Sequence, residues 1–178
     1  ISQGTAFWKE GGADNYVVDE ETGYMTLYGS GIVTNYLFKK GRLAFDFESI
    51  NLTGEDWIEF NMWPNSGNTN FHLHFYANKE SNFTCGGSGL NWTQKTFTWT
   101  SEQTNVVKKI EFLVVNKEEG SNALVLKLII DGVEVAVLDN NITDPYATEP
   151  GAPVYFRMHT TNKASNFTVK SITWEPVE

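Results

Sequence analysis

Apolar residues in this chain recur at every second position, not every third or fourth. In the stretch GRLAFDFES, Leu43, Phe45 and Phe47 share one parity while Asp46 and Glu48 hold the other. That alternation is the signature of a strand with one buried face. It predicts strands near 5–9, 15–18, 23–28, 32–38, 42–50, 56–63, 71–78, 95–100, 107–116, 123–131, 133–138, 153–161 and 165–175. No segment keeps a 3.6-residue apolar period with caps, so no helix is expected. Asp131-Gly132, set between ALVLKLII and VEVAVL, predicts a tight hairpin, because both residues tolerate positive φ. Residues 64–70 and 117–122 read as longer hairpin loops. Two further segments, Gly-rich 79–94 and 139–152, are predicted to be long loops of the kind that border binding surfaces.

About a dozen short strands without helices predict an all-β fold, a two-sheet antiparallel β-sandwich spanning 1–178 as a single domain. The same alternation sorts side chains by face. In 56–63, Ile58, Phe60 and Met62 point inward, leaving Trp57, Glu59, Asn61 and Trp63 outside. In 71–78, Phe71, Leu73 and Phe75 point inward, with His72, His74 and Tyr76 outside. In 153–161, Val154, Phe156 and Met158 point inward, with Tyr155, Arg157 and His159 outside. A solvated sheet face is expected to carry Lys, Glu, Thr and Ser. This one combines flat aromatic rings with fixed donors and acceptors, and all three histidines of the chain fall on it. Sugars suit such a surface, their C–H faces against rings and their hydroxyls against polar groups.

Composition narrows the partners. Aromatic residues make up 14% of 178 residues, and 22 acidic against 13 basic residues give a net charge of −9. A nucleic-acid binder needs a concentrated basic surface, so that class is excluded. No apolar run has the roughly 18–20 residues that insert into a bilayer as a helix. With Cys85 as the single cysteine, there is no internal disulfide and no Cys-based zinc site. The chain starts at Ile1 without a leader, which reads as a mature or excised piece of a larger, multimodular protein.

His72-x-His74, with His159 on another strand, puts imidazoles on one face; they are read as hydrogen-bonding groups rather than as metal ligands. Glycoside hydrolysis needs two carboxylates in one cleft, and the Glu-x-Asp-x-x-Glu strand motif of sandwich-fold endoglucanases has no counterpart here. Asp14, Asp19, Glu20 and Glu21 crowd the N-terminal loops, a set of oxygens that suits a structural calcium; no other cofactor is expected. The segment YFRMHTTN followed by NFTVKSITW resembles the last two strands of jelly-roll alginate lyases. That alignment puts Arg157 on the motif's Lys and Thr161 on its catalytic Tyr, so the proton donor is missing. A lyase would then rely on His74 or His159 as its base.

The strand count, the aromatic content, the polar-aromatic face and the closing ITWE together resemble the carbohydrate-binding modules of secreted bacterial polysaccharide-degrading proteins, with a jelly-roll or concanavalin-like sandwich. The resemblance implies a secreted or cell-surface module with no chemistry of its own, not an enzyme. It would hold a neutral polysaccharide on Trp57, Glu59, Asn61, Trp63, His72, His74, Tyr76, Tyr155, Arg157 and His159. The lyase is the first alternative. The second is an adhesive domain that binds a protein through the same aromatic surface.

Overall fold

The computed structural model describes residues 7–10, 16–28, 31–34, 40–53, 56–64, 70–76, 80–87, 90–98, 101–121, 123–143, 154–159 and 164–177. In chain order these form β1 (Phe7–Glu10), β2 (Tyr16–Val18), β3 (Met25–Leu27), β4 (Gly31–Thr34), β5 (Gly41–Asn51), β6 (Trp57–Pro64), β7 (Asn70–Tyr76), β8 (Glu80–Gly87), β9 (Leu90–Thr98), α1 (Ser101–Asn105), β10 (Lys109–Asn116), β11 (Ala123–Ile130), β12 (Val133–Thr143), β13 (Val154–His159) and β14 (Asn166–Pro176). The strands make two antiparallel sheets of seven. The first has the order β1-β4-β13-β6-β7-β8-β9 and the second the order β12-β11-β10-β5-β14-β3-β2. This is the two-sheet antiparallel sandwich that the alternation predicts.

The core explains the orientation of the outer face. Ile58, Phe60, Leu73, Phe75 and Phe83 of the first sheet are buried to 1% exposure or less, as are Leu43, Phe45, Phe47, Phe112 and Phe167 of the second. Rings from the two sheets interlock: Phe45 meets Phe60 edge to face at 5.1 Å, and Phe112 lies tilted 5.5 Å from Phe60 and 6.1 Å from Phe83. Side chains of a strand alternate, so burying Ile58 and Phe60 obliges Trp57 and Glu59 to point away from the core. Burying Leu73 and Phe75 does the same for His74 and Tyr76. A slip of one residue would bury the polar set, so the register is strongly specified.

Three expectations are corrected here. Residues 79–94 are not a long loop: β8 and β9 pair from Glu80↔Thr98 to Gly87↔Leu90, and β8 also pairs with β7. The alternation of β8 is hidden because Ser81, fully buried, holds a core-facing position where an apolar residue is expected. Its hydroxyl accepts the N–H of Tyr76 at 3.0 Å. Cys85 and Trp92, inside the predicted loop 79–94, therefore lie in strands. The second correction is α1, a single turn whose buried Thr104 donates to the Tyr76 carbonyl at 3.1 Å. The predicted loop 139–152 also starts as strand, since β12 continues to Thr143 past bulges opposite Leu124–Val125 and Leu128–Ile129; residues 144–153 lie outside the described residues.

The Asp131-Gly132 turn forms as expected, with φ of +48° and +82°. The Asp131 carboxylate also accepts the backbone N–H groups of Lys108 (2.9 Å) and Lys109 (2.7 Å), which ties the turn to the start of β10. No helix among the described residues is long and apolar enough to cross a membrane.

Candidate functional site: the outer face of the first sheet

The register places the predicted site residues in rows that run across the strands. One row is His159–Glu59–His74–Asn82–Thr96, through β13, β6, β7, β8 and β9. The next is Trp8–Val33–Arg157–Asn61–His72–Thr84–Gln94, which crosses all seven strands. Tyr155 pairs with Trp63 in a third row and Trp57 with Tyr76 in a fourth. All ten binding residues predicted on this face thus occupy neighbouring register positions of three adjacent strands. The side chains of Asn61, Trp63, His72, Tyr155, Arg157 and His159 lie outside the described atoms; those of Trp57, Glu59, His74 and Tyr76 are described.

These four form one half-exposed cluster. Trp57 packs 5.5 Å from Tyr76 and 6.4 Å from His74, and His74 meets Tyr76 edge-on at 6.3 Å. His74 Nε2 stands 3.8 Å from Glu59 Oε1, with His74 35% and Glu59 16% exposed. The indole N–H of Trp57 is buried, and no described residue accepts it. Three contacts hold the platform in place. Ser81 and Thr104 grip the two backbone groups of Tyr76. At the start of β6, buried Asp56 accepts a short hydrogen bond from Ser165. These bonds fix the ends of the two strands that carry the rings, so the rings are held before any ligand arrives.

Sequence reasoning missed the polar residues of β8 and β9 on the same face, Asn82 and Gln94, which hydrogen-bond to each other at 2.8 Å. The signal was there: Asn82, Thr84, Gln94 and Thr96 share one parity, but the Gly-rich setting masked it. In the acidic N-terminal set, Asp19 makes local hydrogen bonds. Asp19 Oδ1 accepts the N–H groups of Glu21 (3.1 Å) and Thr22 (2.7 Å) and the Thr22 hydroxyl (2.8 Å), so it closes its own turn. These bonds, that of the Thr22 N–H foremost, hold its carboxyl below the usual range. Glu20 is exposed, and Asp14 lies outside the described residues. Among the described residues no three His, Cys, Asp or Glu side chains come together.

No protein-family model matches the sequence, and no curated protein matches it. Solved structures match the fold over nearly the whole chain. A prokaryotic β-1,3-1,4-glucanase (lichenase) derived from a mouse hindgut metagenome superimposes with a TM-score of 0.64 at 9% identity, covering 99% of this chain and 96% of that one. The Bacillus licheniformis β-glucanase gives 0.65 at 11% identity, over 97% and 92%. A legume lectin-like domain from Entamoeba histolytica gives 0.64 at 9%, over 97% and 91%. The fold is therefore the jelly-roll sandwich that glucanases and lectins share. This corrects the expectation that the chain is not an enzyme: the architecture that suggested a binding module is also a glycoside hydrolase architecture. The error lay in reading catalytic status from fold, since one fold hosts sites of many kinds.

Proposed function

We propose that the outer face of the first sheet binds a polysaccharide chain, a neutral β-glucan outside the cell, laid across the strands. The observation that carries this reading is the half-exposed cluster of Trp57, Tyr76, His74 and Glu59 on strands whose opposite faces are core. Rings of this kind offer apolar platforms, and the polar groups beside them take sugar hydroxyls. The longest row crosses seven strands at about 4.8 Å each, roughly 29 Å in all, enough for several sugar units in line. Among the structural neighbours, LamA from Z. galactanivorans was solved with laminaritriose and laminaritetraose, and a GH16 protein of a Bacteroides ovatus mixed-linkage glucan locus with its G4G4G3G product. Their names support glucan as the class to try first.

The test is native affinity electrophoresis over β-1,3-glucan, mixed-linkage glucan, xylan and mannan, with the same samples assayed for new reducing ends and ultraviolet-absorbing unsaturated ends. Wild type is expected to be retarded by a β-glucan. Trp57→Ala and Trp63→Ala, shown to be folded by circular dichroism, are expected to weaken that retardation about tenfold each, the loss of one buried ring contact. Retardation by no glycan would overturn the reading and turn attention to a protein partner. New reducing ends, abolished by Glu59→Gln, would make the same face a hydrolytic site; unsaturated ends would make it a lyase.

A further inference from the structure

The second sheet is irregular where β5 meets β14. The register runs Ser49↔Thr168, Phe47↔Val169, Asp46↔Ser171, so it passes over Glu48 on one strand and Lys170 on the other. Bulges of this kind bend a strand and re-aim its side chains. Here they border a cavity of about 520 Å³, lined by Asp46, Phe47, Glu48, Lys108, Lys170 and Ser171. Small-molecule sites occupy roughly 300–1,000 Å³, so the space is sufficient. Phe47 and Val169 are buried in the core. Their neighbours Asp46, Glu48, Lys170 and Ser171 therefore point to the solvent side of the second sheet, across the sandwich from the Trp57 cluster.

We propose that this cavity binds a neutral sugar of one or two units. Its polar groups hold one another in place. Lys108 Nζ donates to the Glu48 carbonyl at 2.6 Å, and Lys170 Nζ stands 3.4 Å from Glu48 Oε2. Ser171 donates to Asp46 Oδ2 at 2.7 Å, and the Lys170 ammonium lies 5.5 Å from the Tyr24 ring. Among the described residues, no carboxylate pairs with Lys108 and no cation pairs with Asp46. A charged donor and a charged acceptor thus stay open in one cavity. Its two carboxylates and two ammonium groups balance, although the chain as a whole carries −9. An anion would meet Asp46 and Glu48, and a cation would meet the two lysines. A hydroxyl both donates and accepts, so a polyol satisfies both kinds of group and brings no charge of its own. Hydrogen bonds to charged groups are also stronger than neutral ones, so a few suffice. The inference goes beyond the glucan reading and does not depend on it.

Amide shifts of 15N-labelled protein, titrated with glucose, galactose, xylose and cellobiose and separately with glycine and acetate, test the site. Saturable shifts are expected at Glu48, Lys108, Lys170 and Ser171 with at least one sugar. Asp46→Asn and Lys108→Met are each expected to weaken that sugar at least tenfold. Glu134→Gln, elsewhere on the same sheet, is expected to leave it unchanged. Circular dichroism checks the fold of each variant, and if one fails to fold the wild-type shift map decides. No shift at these residues up to about 50 mM sugar, far above the binding range of a specific open site, overturns the proposal. So do shifts that never saturate, sugar shifts that survive both substitutions, and a response to glycine or acetate in place of sugar. Shifts confined to β6, β7 and β13 would support the aromatic face and overturn this site, so the two readings can fail separately.

Discussion

Glu111 sits on the outer face of the second sheet yet is only 3% exposed. Arg42 Nη1 reaches its carboxylate at 2.8 Å and Lys109 Nζ at 3.3 Å. Burial pushes the carboxyl up, but the hydrogen bonds and charges of Arg42 and Lys109 push it down and prevail, so it sits below the ordinary glutamate range. A carboxyl held low in the folded state stabilises the fold above its unfolded value, about pH 4.3, and loses that contribution as pH falls through the folded value. Arg42→Ala is expected to destabilise by about 1–3 kcal/mol in urea melts near neutral pH. The gap between wild type and Glu111→Gln is expected to shrink from neutral pH to about pH 3. A gap of constant size would show that the ion pair contributes nothing to acid sensitivity. None of this was legible in the sequence, where Glu111 is an acid on an ordinary strand. Alternation did reveal that Trp57, Glu59, His74 and Tyr76 share a face, because that depends only on local parity. It did not reveal that Glu59 stands between His74 and His159. Cross-strand partners are set by the pairing of segments about 100 residues apart.

At the scale of elements, legibility followed how cleanly each strand alternates. β5, β10, β11 and the Asp131-Gly132 turn were readable because their core positions are Leu, Ile, Val and Phe. β8 was not, because buried Ser81 interrupts its apolar parity. α1 was not, because one turn is too short to show a helical period. The seam between β5 and β14 depends on a glycine for a steric reason the sequence does not announce. Gly41 pairs with Pro176, and a Cβ there would lie 2.5 Å from the Glu175 carbonyl oxygen and 2.8 Å from Trp174 Nε1. The ring of Trp174, packed against the core, therefore lies over bare backbone. Gly41→Ala is expected to destabilise by about 1–3 kcal/mol, the usual range for overpacking. A urea midpoint equal to wild type would show that the strand end gives way freely.

Among the described residues, the edge strands of the first sheet are β1 and β9, and those of the second are β12 and β2. Open edges invite pairing with another chain. On β9, Lys95 pairs with buried Phe83 and so takes a core-side position, yet it is exposed. An inward-pointing charge at an edge is one way to discourage such pairing. Lys95→Val is expected to increase self-association, seen as a concentration-dependent shift in size-exclusion chromatography; an unshifted monomer peak would remove that role from the lysine.

The strand order has a consequence for how the molecule is made. β14, residues 166–176, lies in the middle of the second sheet, between β5 and β3. Phe167 and Val169 in it are fully buried. While the ribosome is still extending the chain, β5 has β10 on one side and an empty lane on the other. The hydrophobic interior stays open until residue 176 emerges, whatever follows it. The strand order therefore predicts that the sandwich closes late, rather than growing strand by strand, and that a nascent chain arrested before residue 166 is more protease-sensitive than one arrested beyond residue 176.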